Sequence, residues 1–284
     1  MAKANVKIGI MAPGSAIGPE IADKVQRLTA ALYPKGEVDL QFHPQCFLRA
    51  GHFAGSDAER RAAFLALAND PDLDALWFAR GGYGACRLTE TLFDALGPAA
   101  AAKSYMGYSD CGTLLAGLYK QGFTKLSHGP MPIDIIRPGG EAAVARALTY
   151  LVDGRAEGLE RHSGPGIKTA AFNIAILAQI LGTPLQPDLS DHILMLEEVS
   201  EYLYRIDRFL FQITANPEIR KLAGLRLGRC SDIPENDPDF GMTEEEVAKH
   251  WCRISGIAYL GRADIGHDSD NKIVPFGDPA PAVA

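Results

Sequence analysis

Three polar side chains of this sequence, a serine, a glutamate and a histidine, each follow a short apolar segment. Side chains of these three types act together in nucleophilic catalysis. Ser109 ends the run SYMGYS and precedes a helical pattern over 111–122. The local sequence G-Y-S-D-C-G nearly repeats the strand–nucleophile–helix pattern G-x-S-x-G, with the second glycine one place late. Serine and aspartate are also favoured N-caps, so this stretch alone favours a helix cap at Ser109 over a nucleophile.

A serine nucleophile needs a base and a group that orients the base. Among the seven histidines, His128 lies at a predicted strand end, and His267 lies in the loop ADIGHDSDN, where a histidine is more often simply solvated. Glu197 directly follows the apolar run HILML, where a carboxylate can orient an imidazole, and a helix N-terminus explains it less well than it explains the next two glutamates. Glu198 and Glu201 fit equally well the first turn of a helix, where acidic residues favour the dipole.

The segment ARGGYGACR (79–87) follows a predicted strand and contains three glycines around an aromatic residue. Glycines let the backbone approach a ligand closely and adopt positive φ. The N–H groups here can hold a carboxylate or stabilise an oxyanion, and a plain strand-to-helix turn is an equal alternative. No G-K-[ST] follows, so the segment is not a Walker A loop.

The elements that position these residues alternate between strand and helix. Five β-rich apolar segments between residues 6 and 131 are separated by helical patterns, including one over 85–96. This alternation predicts an α/β fold with a parallel sheet. The pattern changes at a Gly-rich stretch, so we expect an N-terminal domain at 1–145, a linker at 146–165 and a smaller C-terminal domain at 166–284.

Composition narrows the range of partners. The 284 residues are 47% hydrophobic and 22% charged with a net charge of -7, and no Lys/Arg-rich run occurs, which argues against a nucleic-acid partner. We find no secretory signal and no apolar stretch long enough to span a membrane. Five cysteines without a CxxC pair predict no zinc site and fit a reducing cytoplasm.

Six stretches resemble, in order, the motifs of the LD-carboxypeptidase family of serine peptidases. ARGGYGACRL resembles R-G-G-Y-G-x-x-R-L-L, MGYSD resembles G-[FHY]-S-D, and SHGPM resembles [ST]-[HS]-G-P-M. NIAILAQILGTP resembles G-N-L-x-x-L-x-x-x-x-G-T-P. LMLEEVSEYLYRIDRFL resembles L-E-D-x-x-E-x-x-Y-R-[IV]-[DE]-R-x-L, and IGHDSDNKIVPFG resembles G-H-x-x-x-x-x-x-[LV]-P-[LF]-G.

The resemblance implies a fold and a set of site residues. It implies a Rossmann-like N-terminal domain that carries the nucleophile and a smaller, β-rich α+β C-terminal domain that carries the other two triad residues. The implied triad is Ser109, Glu197 and His267. The implied oxyanion hole consists of the N–H groups of Gly82 and Asp110. The implied substrate-binding residues are Arg80, Gly81 and Tyr83. No cofactor or metal is implied, and family members are commonly cytoplasmic homodimers.

The resemblance also implies a reaction, the release of the terminal D-Ala from an L,D-linked murein tetrapeptide during peptidoglycan recycling. Two alternatives stay open: a microcin-C immunity-type peptidase of the same family, and a non-catalytic peptide-sensing α/β protein. Because the triad residues are split between two domains, the resemblance further predicts that relative domain position controls activity.

Overall fold

The structure is a computed structural model that describes residues 5–278, so the ends of the predicted domain ranges, 1–4 and 279–284, lie outside it. The first five strands alternate with helices along the chain, as the sequence predicts. These strands are β1 (Val6–Met11), β2 (Val38–Phe42), β3 (Ala75–Phe78), β4 (Ser104–Gly107) and β5 (Leu126–His128). The helices are α1 (Pro19–Leu32), α2 (Asp57–Asn69), α3 (Pro98–Ala102), α4 (Gly112–Lys120) and α5 (Gly140–Asp153).

These five strands form a parallel sheet in the order β5-β4-β3-β1-β2. Apolar residues of α1 and α5 belong to the core on one face, and those of α2 and α4 belong to the core on the other. The order reverses between β1 and β3, and ligands of such sheets bind beyond the carboxyl ends of the strands at that reversal. The glycine segment follows β3 and Ser109 follows β4, so both lie at this edge.

The next four strands form a second sheet in chain order. They are β6 (Thr169–Asn173), β7 (Ile193–Val199), β8 (Gly224–Ser231) and β9 (Tyr259–Arg262). Helices α6 (Ile174–Ile180), α7 (Leu203–Ala215) and α8 (Glu244–Ser255) connect them. The predicted α/β fold with a second, smaller domain is confirmed. In detail, the second sheet is parallel throughout and its strands alternate with helices, which is an α/β arrangement and not the expected β-rich α+β one.

Two features join the sheets. The core around α2 and α4 continues into residues of the second sheet, including Phe172 and Leu196. A short strand near the end of the chain, β10 (Val274–Pro275), pairs antiparallel with β5, so the first sheet has six strands. A segment of the predicted C-terminal domain therefore completes the N-terminal sheet, and the domain ranges themselves stay a prediction.

The helix predicted over 85–96 is wrong. The chain forms two short 3₁₀ turns there, Ala85–Leu88 and Phe93–Ala95, with Thr91 at a positive φ of 55°. The Arg61 guanidinium of α2 accounts for the break, since it donates hydrogen bonds to three carbonyl groups between residues 88 and 91.

Within residues 5–278, no helix is both long enough and apolar enough to cross a membrane.

Candidate active site

Ser109 begins the turn between β4 and α4. Its backbone is left-handed, with φ 61°, which is rare for a residue that has a Cβ. The N-cap positions of this turn and of α4 are Tyr108 and Cys111, and neither makes a side-chain cap hydrogen bond. The interpretation of Ser109 as a helix cap is therefore wrong. An unfavourable turn instead holds its partly exposed side chain at the carboxyl edge of the sheet.

The glycine segment lies directly against this turn. A Cβ built on Gly81 would be 2.9 Å from Ser109 Cβ, 3.0 Å from Ser109 Oγ and 3.4 Å from the backbone nitrogen of Asp110. Gly82 has φ 86°, and Ser15 N donates to the Gly81 carbonyl at 3.0 Å, which holds the loop in place. The backbone segments that contain the two predicted oxyanion donors, Gly82 and Asp110, are therefore neighbours.

Asp110 ties the glycine segment to the Ser109 turn. Its carboxylate accepts a hydrogen bond from Ala85 N at 2.8 Å, and the residue is 3% exposed. Burial raises the pKa of Asp110 to about 6, against the opposing effects of the Ala85 N–H bond and the Arg60 charge. The Asp110 side chain thus acts between two loops instead of capping its own helix.

Glu197 and His267 are joined by a hydrogen bond of 2.5 Å between Oε2 and Nδ1. Glu197 is fully buried, and the His267 side chain is 9% exposed. Burial lowers the pKa of His267, but the charge of Glu197 and its hydrogen bond outweigh this, so the pKa lies above the ordinary 6.5. Since Nδ1 faces the carboxylate, Nε2 is the ring nitrogen left to exchange a proton with another group.

The end of β7 directs two consecutive carboxylates into the protein. The pairing with β8 shifts register between Leu196 and Glu198, and Glu197 lies at this irregularity. A Cβ built on Gly228 of β8 would lie 3.0 Å from Glu197 Cβ, so the glycine makes room for the glutamate.

Glu198 is 2% exposed and accepts hydrogen bonds from Asn173 Nδ2 at 2.6 Å and from Ala175 N at 2.9 Å. It therefore serves the first turn of α6, not the helix that follows it in sequence. Burial raises the pKa of Glu198 to about 7. Glu201 lies directly before the N-cap residue of α7, outside the first turn in which the helix interpretation placed it, and forms an ion pair of 2.7 Å with Arg205.

Tyr108 connects the Ser109 turn to His267, and sequence reasoning missed it. The two ring centroids are 4.9 Å apart, and the Tyr108 hydroxyl donates to Asp134 Oδ1 at 2.8 Å. Among the residues that the structure describes, no hydrogen bond joins the Ser109 and His267 side chains. Such bonds are often long or misaligned without substrate. The only signal for Tyr108 was the aromatic position of the motif that precedes the serine.

The remaining candidate residues, Arg80 and Tyr83, lie on the exposed side of the glycine segment. Arg80 Nη1 donates to the Ala16 carbonyl at 3.1 Å, and Tyr83 is 50% exposed with its backbone nitrogen 3.3 Å from His52 Nε2. Both side chains are exposed to solvent, and their roles stay predictions. Residues 5–278 contain no cluster of three or more His, Cys, Asp or Glu side chains suited to a metal ion.

Comparison with known proteins identifies two family domains in this chain. The LD-carboxypeptidase N-terminal domain matches residues 8–129, and the LD-carboxypeptidase C-terminal domain matches residues 168–281. The murein tetrapeptide carboxypeptidase of Pseudomonas aeruginosa is 28% identical over 292 residues, which cover 96% of this chain and 92% of that protein.

Solved structures with the same fold include two kinds of protein. The muramoyltetrapeptide carboxypeptidase from Oxalobacter formigenes superposes with a TM-score of 0.77 at 24% identity, covering 96% of this chain and 93% of the other. The microcin C7 self-immunity protein MccF superposes with a TM-score of 0.78 at 18% identity, covering 97% and 92%. At these identities the likeness concerns the fold. Because the two matched domains together span most of the sequence, the chain belongs to the LD-carboxypeptidase family of peptidases.

Proposed function

We propose that this protein is a serine LD-carboxypeptidase that releases the terminal D-Ala from an L,D-linked murein tetrapeptide. The proposed triad is Ser109, His267 and Glu197. The observation that carries the proposal is the pairing of a buried Glu197 with His267 beside the strained turn of Ser109. Family membership and the murein tetrapeptide carboxypeptidase relative support the same reaction class.

The first half of the proposed reaction forms an ester on Ser109. His267 Nε2 removes the Oγ proton while Oγ attacks the carbonyl carbon of the bond between diaminopimelate and D-Ala. Glu197 accepts a hydrogen bond from Nδ1–H, which fixes the tautomer and stabilises the imidazolium that forms. The imidazolium then gives its proton to the departing D-Ala nitrogen as the C–N bond breaks.

The second half hydrolyses that ester. A water molecule loses a proton to His267 Nε2 and attacks the ester carbonyl, and the proton returns to Ser109 Oγ as the tripeptide leaves. In both halves we assign the oxyanion to the N–H groups of Gly82 and Asp110. The close approach of Gly81 to Ser109 supports this assignment, since it brings both backbone segments to the reacting carbonyl.

A carboxypeptidase must also recognise the free carboxylate of its substrate. We propose that Arg80, with the N–H group of Gly81 and the side chain of Tyr83, provides this recognition beside the nucleophile. An arginine next to backbone N–H groups suits a carboxylate because it combines charge with several fixed donors. The exposure of the Arg80 and Tyr83 side chains supports access from solvent.

The direct test is release of D-Ala from purified murein tetrapeptide, with Ser109→Ala as the variant and Ser127→Ala as the matched control. Ser127 is a buried serine of β5 whose nearest hydrogen-bond partner is Tyr150. We expect Ser109→Ala to lower kcat by at least about 10⁴-fold and Ser127→Ala to leave it unchanged. Cleavage that survives Ser109→Ala would contradict the proposed mechanism.

A second substrate belongs in the same assay. MccF shares the fold and has been solved with aminoacyl sulfamoyl nucleosides, so a compound of that class tests the microcin-type alternative. Faster cleavage of this compound than of tetrapeptide would favour the alternative. We also propose a cytoplasmic homodimer, which light scattering and cell fractionation test separately from activity.

A further inference from the structure

The loop that carries His267 is held on both sides of the histidine by different parts of the protein. On one side, Gly266 N donates to Asn271 Oδ1 at 3.2 Å. On the other, the Asp268 carboxylate accepts from the Arg229 guanidinium of β8, with a contact of 2.8 Å to Nη2. The second contact ties the loop to the sheet that carries Glu197. The first contact links the loop to the other sheet, because Asn271 also contacts a residue of β5.

Asn271 is bonded to the last residue of β5. His128 Nε2 lies 3.3 Å from Asn271 Oδ1, and the exposures of His128 and Asn271 are 1% and 0%. The same stretch is fixed by Arg146 of α5, whose Nη1 donates to the carbonyls of Ser269 at 3.2 Å and Asn271 at 2.9 Å. The loop is thus fastened to the sheet that carries Ser109 by two elements, β5 and α5, that lie far from it in sequence.

The chemistry of the His128–Asn271 contact defines its form. An amide oxygen only accepts, so Nε2 of His128 carries the hydrogen. Burial lowers the pKa of His128 to about 4, so the ring is neutral at neutral pH. Tyr108 lies between this ring and that of His267, with centroid distances of 5.6 Å and 4.9 Å. A neutral His128 therefore adds no like charge beside the imidazolium that forms on His267.

We propose that His128 and Asn271 are positioning residues, whose buried hydrogen bond sets the place of His267 relative to Ser109. This rests on the proposed function, in which His267 must reach the Ser109 hydroxyl. The His128 side chain does not act on substrate. It acts through Asn271, which in turn fixes the backbone next to His267.

The test compares two variants of His128 on the complete enzyme. His128→Gln keeps an N–H donor near the position of Nε2, whereas His128→Leu removes it. We expect His128→Leu to lower kcat by about 10- to 100-fold with little change in KM, because small misplacements of a catalytic group have effects of that size. His128→Gln should retain most of the wild-type kcat. Ser127→Ala, the neighbouring buried position, should retain all of it.

A double-mutant cycle tests whether the two residues act through each other. If they do, His128→Leu combined with Asn271→Leu lowers kcat no further than the larger single effect, within about twofold. Three results would each overturn the proposal. In the double variant, the two losses in kcat could multiply. His128→Gln could lose as much kcat as His128→Leu, or the effects could be confined to KM or to thermal stability.

A second readout separates this proposal from the proposed function. The rate at which a fluorophosphonate labels Ser109 depends on activation of the serine and not on the peptide substrate. If the wild-type enzyme is neither labelled at Ser109 nor active on tetrapeptide, the proposed function fails. If the wild type is labelled and active while His128→Leu and Asn271→Leu match it in both, only the positioning proposal fails. Circular dichroism identifies a variant that does not fold, and His128→Gln then carries the test.

Discussion

Replacing Gly81 by alanine tests whether the glycine segment and the Ser109 turn must touch for catalysis. The new Cβ would stand 2.9 Å from Ser109 Cβ and 3.0 Å from Ser109 Oγ. Carbon atoms in favourable contact are about 3.5–4.0 Å apart, so the two segments must separate by about 0.6–1 Å. Because the Gly81 φ lies outside the left-handed region, the substitution adds this contact without a φ penalty.

The expected loss follows from that displacement. A shift of about 1 Å in a catalytic group can lower kcat by about 10²-fold, which corresponds to about 2.7 kcal/mol of lost transition-state stabilisation. Overpacking of this kind also destabilises the fold by about 1–3 kcal/mol, so the protein should remain folded at room temperature. We therefore expect a folded enzyme with strongly reduced kcat for D-Ala release and slower fluorophosphonate labelling of Ser109.

Gly164→Ala is the matched control, since a Cβ on Gly164 meets no atom within 4 Å and its φ is not left-handed. It should match the wild type in kcat, labelling rate and unfolding temperature. If Gly81→Ala keeps full kcat and full labelling while folding normally, the glycine segment does not constrain Ser109. The assignment of the Gly82 N–H to the oxyanion would then lose its structural support.

Two further predictions concern the paired carboxylates of β7. Glu197→Gln should lower kcat by about 10³–10⁴-fold and move the acid limb of the kcat/KM profile to lower pH, because the charge that raises the pKa of His267 is lost while burial, which lowers it, remains. An acid limb that stays in place would contradict this account. Glu198 has a pKa near 7 in the folded protein, against an ordinary value of 4.5. The folded protein therefore keeps this proton up to a higher pH than the unfolded chain does. As a result, the free energy of unfolding falls as pH rises from about 4.5 to 7. Urea unfolding at pH 5 and 8 should show a fall in unfolding free energy that is about 2.5 kcal/mol larger in the wild type than in Glu198→Gln, and equal falls would refute it.

The sequence predicts the parts of this fold that depend on local pattern. Apolar segments alternating with helical periodicity specify the strands of the first sheet, and the position of Ser109 at a strand end follows from them. The helix predicted over 85–96 fails because the carbonyl groups there are bound by Arg61, which lies about 30 positions away along the chain. Periodicity within a segment contains no information about such a partner.

The candidate site depends even more on distant partners. Glu197 and His267 are separated by 70 positions, and His128 and Asn271 by 143. Composition and spacing identified His267 only as a loop histidine, and the order of six motifs was needed to give it a role. Asn271 had no local signal at all, because an asparagine in a Gly/Asp-rich loop is ordinary.

The attachment of the His267 loop changes what domain position can control. The sequence resemblance predicts that relative domain position controls activity, because the serine and its base belong to different domains. Yet β10, Arg146 and the His128–Asn271 bond all fasten the loop of the base to the sheet of the serine. Relative motion of the two sheets would then act first on the contacts that reach the second sheet. These contacts include the Glu197–His267 bond, the Arg229–Asp268 pair and the bond from Arg229 N to the Ile265 carbonyl. We therefore predict that a change in domain position would alter the orientation and charge of the imidazole more directly than its distance from the serine.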